Sequence, residues 1–513
     1  MTPETRRALG AALLSVAVGV LVGRALLHSM NAPNDRVLAA LTSHADPPGV
    51  PPAAVPAGAP DRLVIALIDG LGEEPFREAL RDTPLEKHAW EATVDCGTPS
   101  LSRAIYHVLL TGVPQSVSGI RNNTHQGPAR ADDIATRVRQ AGGTVGWALQ
   151  TVPWFHDLAG APQDPYEKLG EEPLLNPVTD RFDPPAPPLD TRFAKMAVVL
   201  AQKPNLAVLH FIEVDHAGHH RGARSPEYKA AAHEAMEAIV ALREAHEKTP
   251  EGARTVWMLG ADHGHLPRGG HGGPEMEVRR TLWIGVWPSP TSPPKPVVVP
   301  DLVPATRLAG TFAAILGVAP PRESLGEPLP LPDRDVSPTP ALAERREAVT
   351  AAEAEANATA NQSVFHRTLA VFLALLALAY AHVRGPARRE KTLYLLGAVW
   401  PVLVASVGFR VLGPGLTLSA IRTHFAFASG ALFATALGAA LTYPVVKRCR
   451  TPSTWLAITA AVPPAAAYAI AAGSMGASRL PDSLLLLFPA TGVLPAGVLL
   501  GLTLAAAANR LRK

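Results

Sequence analysis

Five apolar runs in series constrain this chain more than any other feature. They cover roughly 368–383, 392–412, 425–446, 455–474 and 484–508, and a further run occupies 8–27. About 20 apolar residues cross the hydrocarbon core of a bilayer as a helix. The basic residues around these runs are placed asymmetrically. Arg384, Arg388, Arg389 and Lys391 follow the first of the five, and Lys447, Arg448 and Arg450 follow the third. Arg510, Arg512 and Lys513 follow the last. With the N-terminus inside, every cluster falls on the cytoplasmic side, as the positive-inside rule requires. The outer loops then carry only Arg410, Arg422 and Arg479. The pattern predicts six spans, both termini cytoplasmic, and residues 28–367 outside the cytoplasm. Any one run could be a soluble core helix, but five in series with alternating charge argue against that. A signal peptide competes for 8–27, which Arg24 interrupts. The absence of a clear small-x-small cleavage site favours an uncleaved anchor.

No Asp or Glu lies inside the C-terminal runs. Ion-coupled transport needs an intramembrane ionisable group, so a platform or anchor fits better than a pump. Pro463, Pro464, Pro489 and Pro495 imply kinks whose freed carbonyls neighbouring helices must satisfy. The formal net charge of +3 carries no nucleic-acid footprint. The two cysteines, Cys96 and Cys449, lie in unlike segments and make neither an expected disulfide nor a Cys-rich zinc site.

The organisation that follows is an anchor over 1–30, a Pro/Ala-rich linker over 31–60, an outer domain over 61–335, a polar stalk over 336–367 and a membrane domain of about five helices over 368–513. Asn357-Ala-Thr and Asn361-Gln-Ser match the glycosylation tripeptide, which matters only in a eukaryotic secretory route. The Ala/Pro/Arg bias instead favours a bacterial inner membrane.

Within 61–335, RLVIALID (62–69), TVGWAL (144–149), NLAVLHFIEVD (205–215), TVWMLGAD (255–262) and TLWIGVW (281–287) read as buried strands, and 227–247 as a helix. Strands alternating with helices predict an α/β domain, a parallel sheet wrapped on both faces. In such sheets ligands bind beyond the carboxyl ends of the strands. Asp69, Asp215 and Asp262 each stand at such an end. Asp262-His263 would reach one ion from a strand-to-loop turn. Asp215 and His219 lie four apart around Gly218, which allows a tight turn, and His271 sits between glycines in RGGHGG. Alone, each of these is more often an ordinary loop residue. Together, three Asp and three His suffice for two metal ions. A hydroxyl that could attack lies in GTPSLSRAIYHVLLTG, where Thr98, Ser100 and Ser102 are all open by spacing. An apolar helix over 104–110 starts just after, and its N-terminal charge would suit an anion.

The blocks LIDG (67–70), PSLSRAIYHVLLTG (99–112), VDHAGH (214–219), ADHGH (261–265) and GGHGGPEMEVRRTLWIG (269–285) resemble the alkaline phosphatase superfamily. They are most similar to its type I phosphodiesterase/nucleotide pyrophosphatase branch and to GPI ethanolamine phosphate transferases, over about 61–320. The resemblance implies an alkaline-phosphatase-like, mostly parallel sheet. It implies a nucleophile nine positions before the Thr of the TG pair, which is Ser102. It assigns Asp69, Ser102, Asp262 and His263 to one ion and Asp215, His219 and His271 to the other. Asn123, with Asn122 as alternative, would bind a phosphoryl oxygen. The mixed Asp/His ligation suits zinc, with manganese as an alternative.

The activity implied is that of a membrane-anchored phosphodiesterase or phosphatase working through a phosphoserine intermediate. A phosphoethanolamine-type transferase acting on a lipid or glycan is the rival, and an inactive membrane scaffold a further one. The partners expected are a phosphoester substrate and membrane lipids, with no nucleic acid. Two departures stand out. Ser replaces the Thr usual in these branches, and Ser102 lacks the following Pro and Arg that sulfatases need. His216, His220 and His265 are spare imidazoles near the site. Trp154, Phe155 and His156, in the Pro-rich stretch 150–195, are candidates for a substrate pocket, with core packing favoured.

Overall fold

The computed structural model describes residues 35–359, except 53, 122, 124, 126, 150–151, 162–188, 290–295, 340 and 357. The apolar runs, their predicted topology, Asn357 and the Asn361-Gln-Ser tripeptide lie outside the described residues. Among the described residues no helix is long and apolar enough to cross a membrane. The chain divides into a compact unit, Val37–Ala352, and a second unit, Met1–Arg36 with Glu353–Lys513. Of the second unit only short helical stretches at 35–36 and 353–359 are described, with 357 excepted.

The first unit is built on one sheet. Its strands are β1 (Arg62–Ile68), β2 (Trp90–Asp95), β3 (Val145–Ala148), β4 (Leu206–Phe211), β5 (Thr255–Gly260), β6 (Arg280–Val286) and β7 (Val297–Pro304), in the order β3-β4-β1-β5-β6-β2-β7. β1 pairs in parallel with both β4 and β5, and β3 in parallel with β4. β6 runs antiparallel to β5 and β2, and β7 is parallel to β2. Six strands therefore share one direction, and β6 alone opposes them. The expectation that 281–287 joins a parallel array is corrected here. The 261–279 connection builds a loop at the carboxyl end of β5, so the chain re-enters the sheet from that same end.

The flanking helices include α1 (Glu73–Leu80), α2 (Ser102–Thr111), α3 (Val152–Ala159), α4 (Leu189–Ala201), α5 (Glu213–Arg221), α6 (Pro226–Glu247) and α7 (Thr306–Leu316). The unbroken apolar run of β1 has a direct cause, since successive side chains of a strand point to opposite faces and both faces are covered. Leu63, Ile65 and Leu67 pack with Ile105 and Tyr106 of α2 and Phe312 of α7. Val64, Ala66 and Ile68 pack with Phe76 of α1, Met196 of α4, and Met236 and Ile239 of α6. The sheet is thus the middle of three layers.

β2 and β7 were not among the expected strands. β2 alternates buried and half-buried residues over only six positions. β7 contains Pro300 and Pro304, which suit an edge strand because proline lacks the ladder N–H. Both flanks of the expected 61–335 domain contribute to the unit. Arg345 is fully buried and donates to the Ser324 carbonyl at 2.8 Å, to the His44 carbonyl at 3.1 Å and to Asp46 at 3.2 Å.

Candidate metal centre and active site

Two groups of side chains converge beyond the carboxyl ends of β1, β4 and β5. In the first, Asp69 directly follows β1, and Asp262 and His263 follow β5. Each spends one polar atom on the scaffold. Asp69 Oδ2 accepts from the Tyr106 hydroxyl and lies 3.1 Å from His210 Nε2. Asp262 Oδ1 accepts from the Gly70 N–H at 3.0 Å. His263 Nδ1 donates to the Gly264 carbonyl at 3.2 Å, which leaves Nε2 with its lone pair. Among the described residues, the remaining atoms, Asp69 Oδ1 and Asp262 Oδ2, are buried and have no hydrogen-bond partner. They lie 3.6 and 3.3 Å from His263 Nε2. Ser102 Oγ lies 3.0 Å from the same nitrogen.

Buried carboxylate oxygens without partners are costly. Tetrahedral zinc at ordinary Zn–N and Zn–O lengths spaces its ligand atoms about 3.3–3.6 Å apart. The Asp262 and Asp69 oxygens, at 3.3 and 3.6 Å from His263 Nε2, are spaced as ligands of one such ion would be, and the Ser102 hydroxyl stands closer, at 3.0 Å.

In the second group, Asp215 and His219 lie on α5. The tight turn expected around Gly218 is corrected: the spacing of four places both residues on one face of a helix, one turn apart. Asp215 Oδ2 lies 3.3 Å from His219 Nε2, and His271 Nε2 lies 3.1 Å from His219 Nε2. His271 Nε2 is 3.7 Å from Asp215 Oδ1. His271 Nδ1 donates to the Ser100 carbonyl at 2.9 Å, so its Nε2 also presents a lone pair. The rings of His263 and His271 stack at 3.8 Å and join the two groups. A Cβ on Gly70, at φ +74°, would come within 2.8 Å of Asp215 Cα. Only glycine lets the β1 loop approach α5 this closely.

The three candidate hydroxyls separate by geometry. Ser100 Oγ donates to the Gly273 carbonyl and accepts from the Gly272 N–H, both at 3.0 Å, so it pins the loop that carries His271. Ser102 opens α2, with Leu101 as the preceding cap position, and faces His263. Thr98 sits in the bend upstream. Asn123 is half-buried, and its Oδ1 accepts from the Arg103 N–H at 3.2 Å, which leaves the amide NH2 as donor beside the start of α2. Asn122 lies outside the described residues.

His265 is the histidine that sequence reasoning left unassigned and the structure brings in. Its ring nitrogen stands in a buried group with Asp215, His263 and His271. His216 and His220 do not join it. Phe155 is core, stacked on Tyr106 at 4.7 Å, and Arg103 lies over Trp154 at 5.9 Å.

The electrostatics follow from burial. Desolvation drives His263 down to about 4 and His271 well below its ordinary value. Both imidazoles are neutral at pH 7, the state a metal ligand needs. Burial and the charge of Asp69 push Asp262 well above the carboxylate range. Burial acts against Asp215 as well, but the neighbouring His219 and His265 hold it well below that range.

Residues 166–270 match the family described as type I phosphodiesterase / nucleotide pyrophosphatase. Asp215, His219, Asp262 and His263 fall inside the matched residues, whereas Asp69, Ser102 and His271 meet them only through the fold. The chain is 32% identical over 124 residues to the human GPI ethanolamine phosphate transferase 3, catalytic subunit, covering 24% of this chain and 11% of the relative. It is 29% identical over 139 residues to GPI ethanolamine phosphate transferase 2 of Aspergillus oryzae, covering 24% of this chain and 16% of the relative. The match thus spans a small part of either relative's length. Among solved structures, murine ectonucleotide pyrophosphatase / phosphodiesterase 5 is similar at 13% identity and a TM-score of 0.38, covering 50% of this chain and 96% of that one. The buried Asp/His cluster is compatible with divalent ions.

Proposed function

We propose that the chain is a metal-dependent phosphoester hydrolase or transferase of the alkaline phosphatase superfamily, with Ser102 as nucleophile. The observation that carries this reading is the pair of partnerless buried oxygens, Asp69 Oδ1 and Asp262 Oδ2, facing His263 Nε2 beside the Ser102 hydroxyl. Asp69, Ser102, Asp262 and His263 would hold one divalent ion, and Asp215, His219 and His271 the other. Zinc is the preferred identity for these N/O donors. Bound ions supply Lewis acidity, which lowers the pKa of a hydroxyl and offsets charge on a phosphoryl group.

The chain's own residues do the rest. Ser102 Oγ, at the first position of α2, gives its proton to solvent and attacks phosphorus in line, and the ester oxygen leaves on the opposite side and takes a proton from water. The α2 N-terminus favours the negative charge that gathers on the phosphoryl oxygens. Asn123, oriented by the Arg103 N–H, donates its amide to one of them. Attack on the resulting phosphoserine by water gives hydrolysis, and attack by another alcohol gives transfer.

The likeness to GPI ethanolamine phosphate transferases supports the second outcome, with a phosphoethanolamine-bearing lipid or glycan as substrate. The apolar runs and their basic flanks support placing residues 28–367 outside the cytoplasm, held at the membrane by both ends of the chain.

Ser102→Ala tests the assignment. Turnover of an aryl phosphodiester is expected to fall to background while bound metal stays near its original level. Full activity in that variant, with loss in Thr98→Ala, would overturn it. Product analysis with a lipid phosphodiester separates the two outcomes, as a free phosphomonoester with alcohol means hydrolysis and a modified acceptor means transfer.

A further inference from the structure

We infer that His265 is a positioning residue that holds the Asp215 carboxylate in place for metal binding, and that Gly218 is the gap in α5 that admits its ring. The inference rests on the metal-dependent reading of the site and assigns it a residue that the ligand sets leave out.

Distance separates a hydrogen-bond partner from a ligand here. Tetrahedral ligand atoms around zinc stand about 3.3–3.6 Å apart. Asp215 Oδ2 stands 3.3 Å from His219 Nε2, and His219 Nε2 stands 3.1 Å from His271 Nε2, close to the spacing of atoms that share an ion. His265 Nε2 lies 2.8 Å from Asp215 Oδ1, which is the length of a charge-assisted N–H···O bond. His265 Nε2 therefore donates to Oδ1 and leaves Oδ2, the oxygen nearer His219, for the ion. A fourth protein ligand would also close the tetrahedron and leave no position for a phosphoryl oxygen, whereas catalytic sites keep one open.

The seat of His265 is built for it. The residue is 2% exposed. A Cβ on Gly218 would stand 2.3 Å from its Cδ2 and 2.6 Å from its Cγ and Nε2. A glycine inside a helix costs about 1 kcal/mol relative to alanine, so its place one turn after Asp215 and directly before His219 calls for a reason. The ring then meets His219 edge-on at 4.9 Å, His271 at 5.0 Å and Tyr228 at 6.2 Å. These contacts fix its plane so that Nε2 points at Asp215. Partners of this kind typically change metal affinity 10–100-fold when removed.

The test uses the full chain, with zinc as probe. Metal stoichiometry, competition against a chromogenic chelator and the visible spectrum of the cobalt(II)-substituted protein are measured for wild type, His265→Gln, His265→Leu and Gly218→Ala. Thermal melting checks that each variant is folded. Wild type is expected to hold two ions. His265→Leu and Gly218→Ala are expected to weaken one ion about 10–100-fold and leave the other intact. His265→Gln, whose amide still donates, should keep both ions and the wild-type cobalt spectrum. Unchanged chelator competition in His265→Leu would overturn the inference. So would a His265→Gln protein that loses metal like the Leu variant with an altered cobalt spectrum, because His265 would then be a direct ligand. A wild-type protein that binds no divalent ion would instead sink the metal-dependent reading itself.

Discussion

Tyr106 shows how single residues couple the parts of this site. It lies one helical turn after Ser102 on α2, and its hydroxyl donates to Asp69 Oδ2. The helix that carries the proposed nucleophile therefore also holds the carboxylate proposed as a metal ligand, with His210 as a second partner at 3.1 Å. Tyr106→Phe keeps the ring stacked on Phe155 and removes only the hydroxyl. Zinc affinity at that position is expected to drop about 10-fold or more, measured by chelator competition.

His107, next in sequence, faces away from the ligands and is fully buried, with Nε2 unpartnered among the described residues. Burial lowers its pKa to about 3 from 6.5. The unfolded chain thus binds more protons between these values, so stability falls as pH drops through 6.5 toward 3. His107→Leu is expected to flatten that slope in chelator-treated protein, read from urea midpoints between pH 7 and 4.5.

At the scale of elements, local chemistry and tertiary demand divide the work. α6 announces itself in sequence, with Ser225 as cap, Pro226 at the first position, and apolar residues recurring on one face through Leu242. The Ser225 side chain accepts from the Tyr228 N–H at 3.1 Å. Ser225→Ala is expected to cost about 1 kcal/mol by denaturant unfolding, with unchanged metal content. α5 is the opposite case. EVDHAGHHR is polar and holds a glycine, and nothing in its composition predicts a helix. It is helical because Asp215 and His219 must share a face above β4, and because its Gly218 gap receives a ring from the β5–β6 loop. β7 escaped the sequence for a related reason. Its prolines demote it, and only its edge position beside β2 makes them tolerable.

At the scale of the whole unit, the flanks are part of the fold. Val37 and Leu41 before the expected domain, and Leu342 and Val349 after it, are buried. Arg345 ties the two sides through the His44 carbonyl and Asp46, and both members of the Arg345–Asp46 pair are nearly inaccessible. Removing one partner of a buried pair strands the other charge and costs about 3–5 kcal/mol. Arg345→Met should lower the thermal midpoint markedly while leaving the zinc competition profile of the folded protein unchanged. A midpoint within one degree of wild type would show that the flanks add nothing.

The sequence by itself determined the buried strands β1, β4 and β5, the long helix α6, and the places of Asp69, Asp215 and Asp262 beyond strand ends. Hydrophobic period and chain punctuation are local properties and survive without coordinates. Family-specific spacing pointed to Ser102 among three hydroxyls. The tertiary structure decided what depends on distance between separated segments. It turned β6 against its neighbours and bound Ser100 to the Gly272–Gly273 loop, leaving Ser102 facing His263. It also seated His265 against Asp215, fifty positions away in the chain. Hydrogen-bond reach is set by which loops meet above the sheet, and a linear pattern does not carry that information.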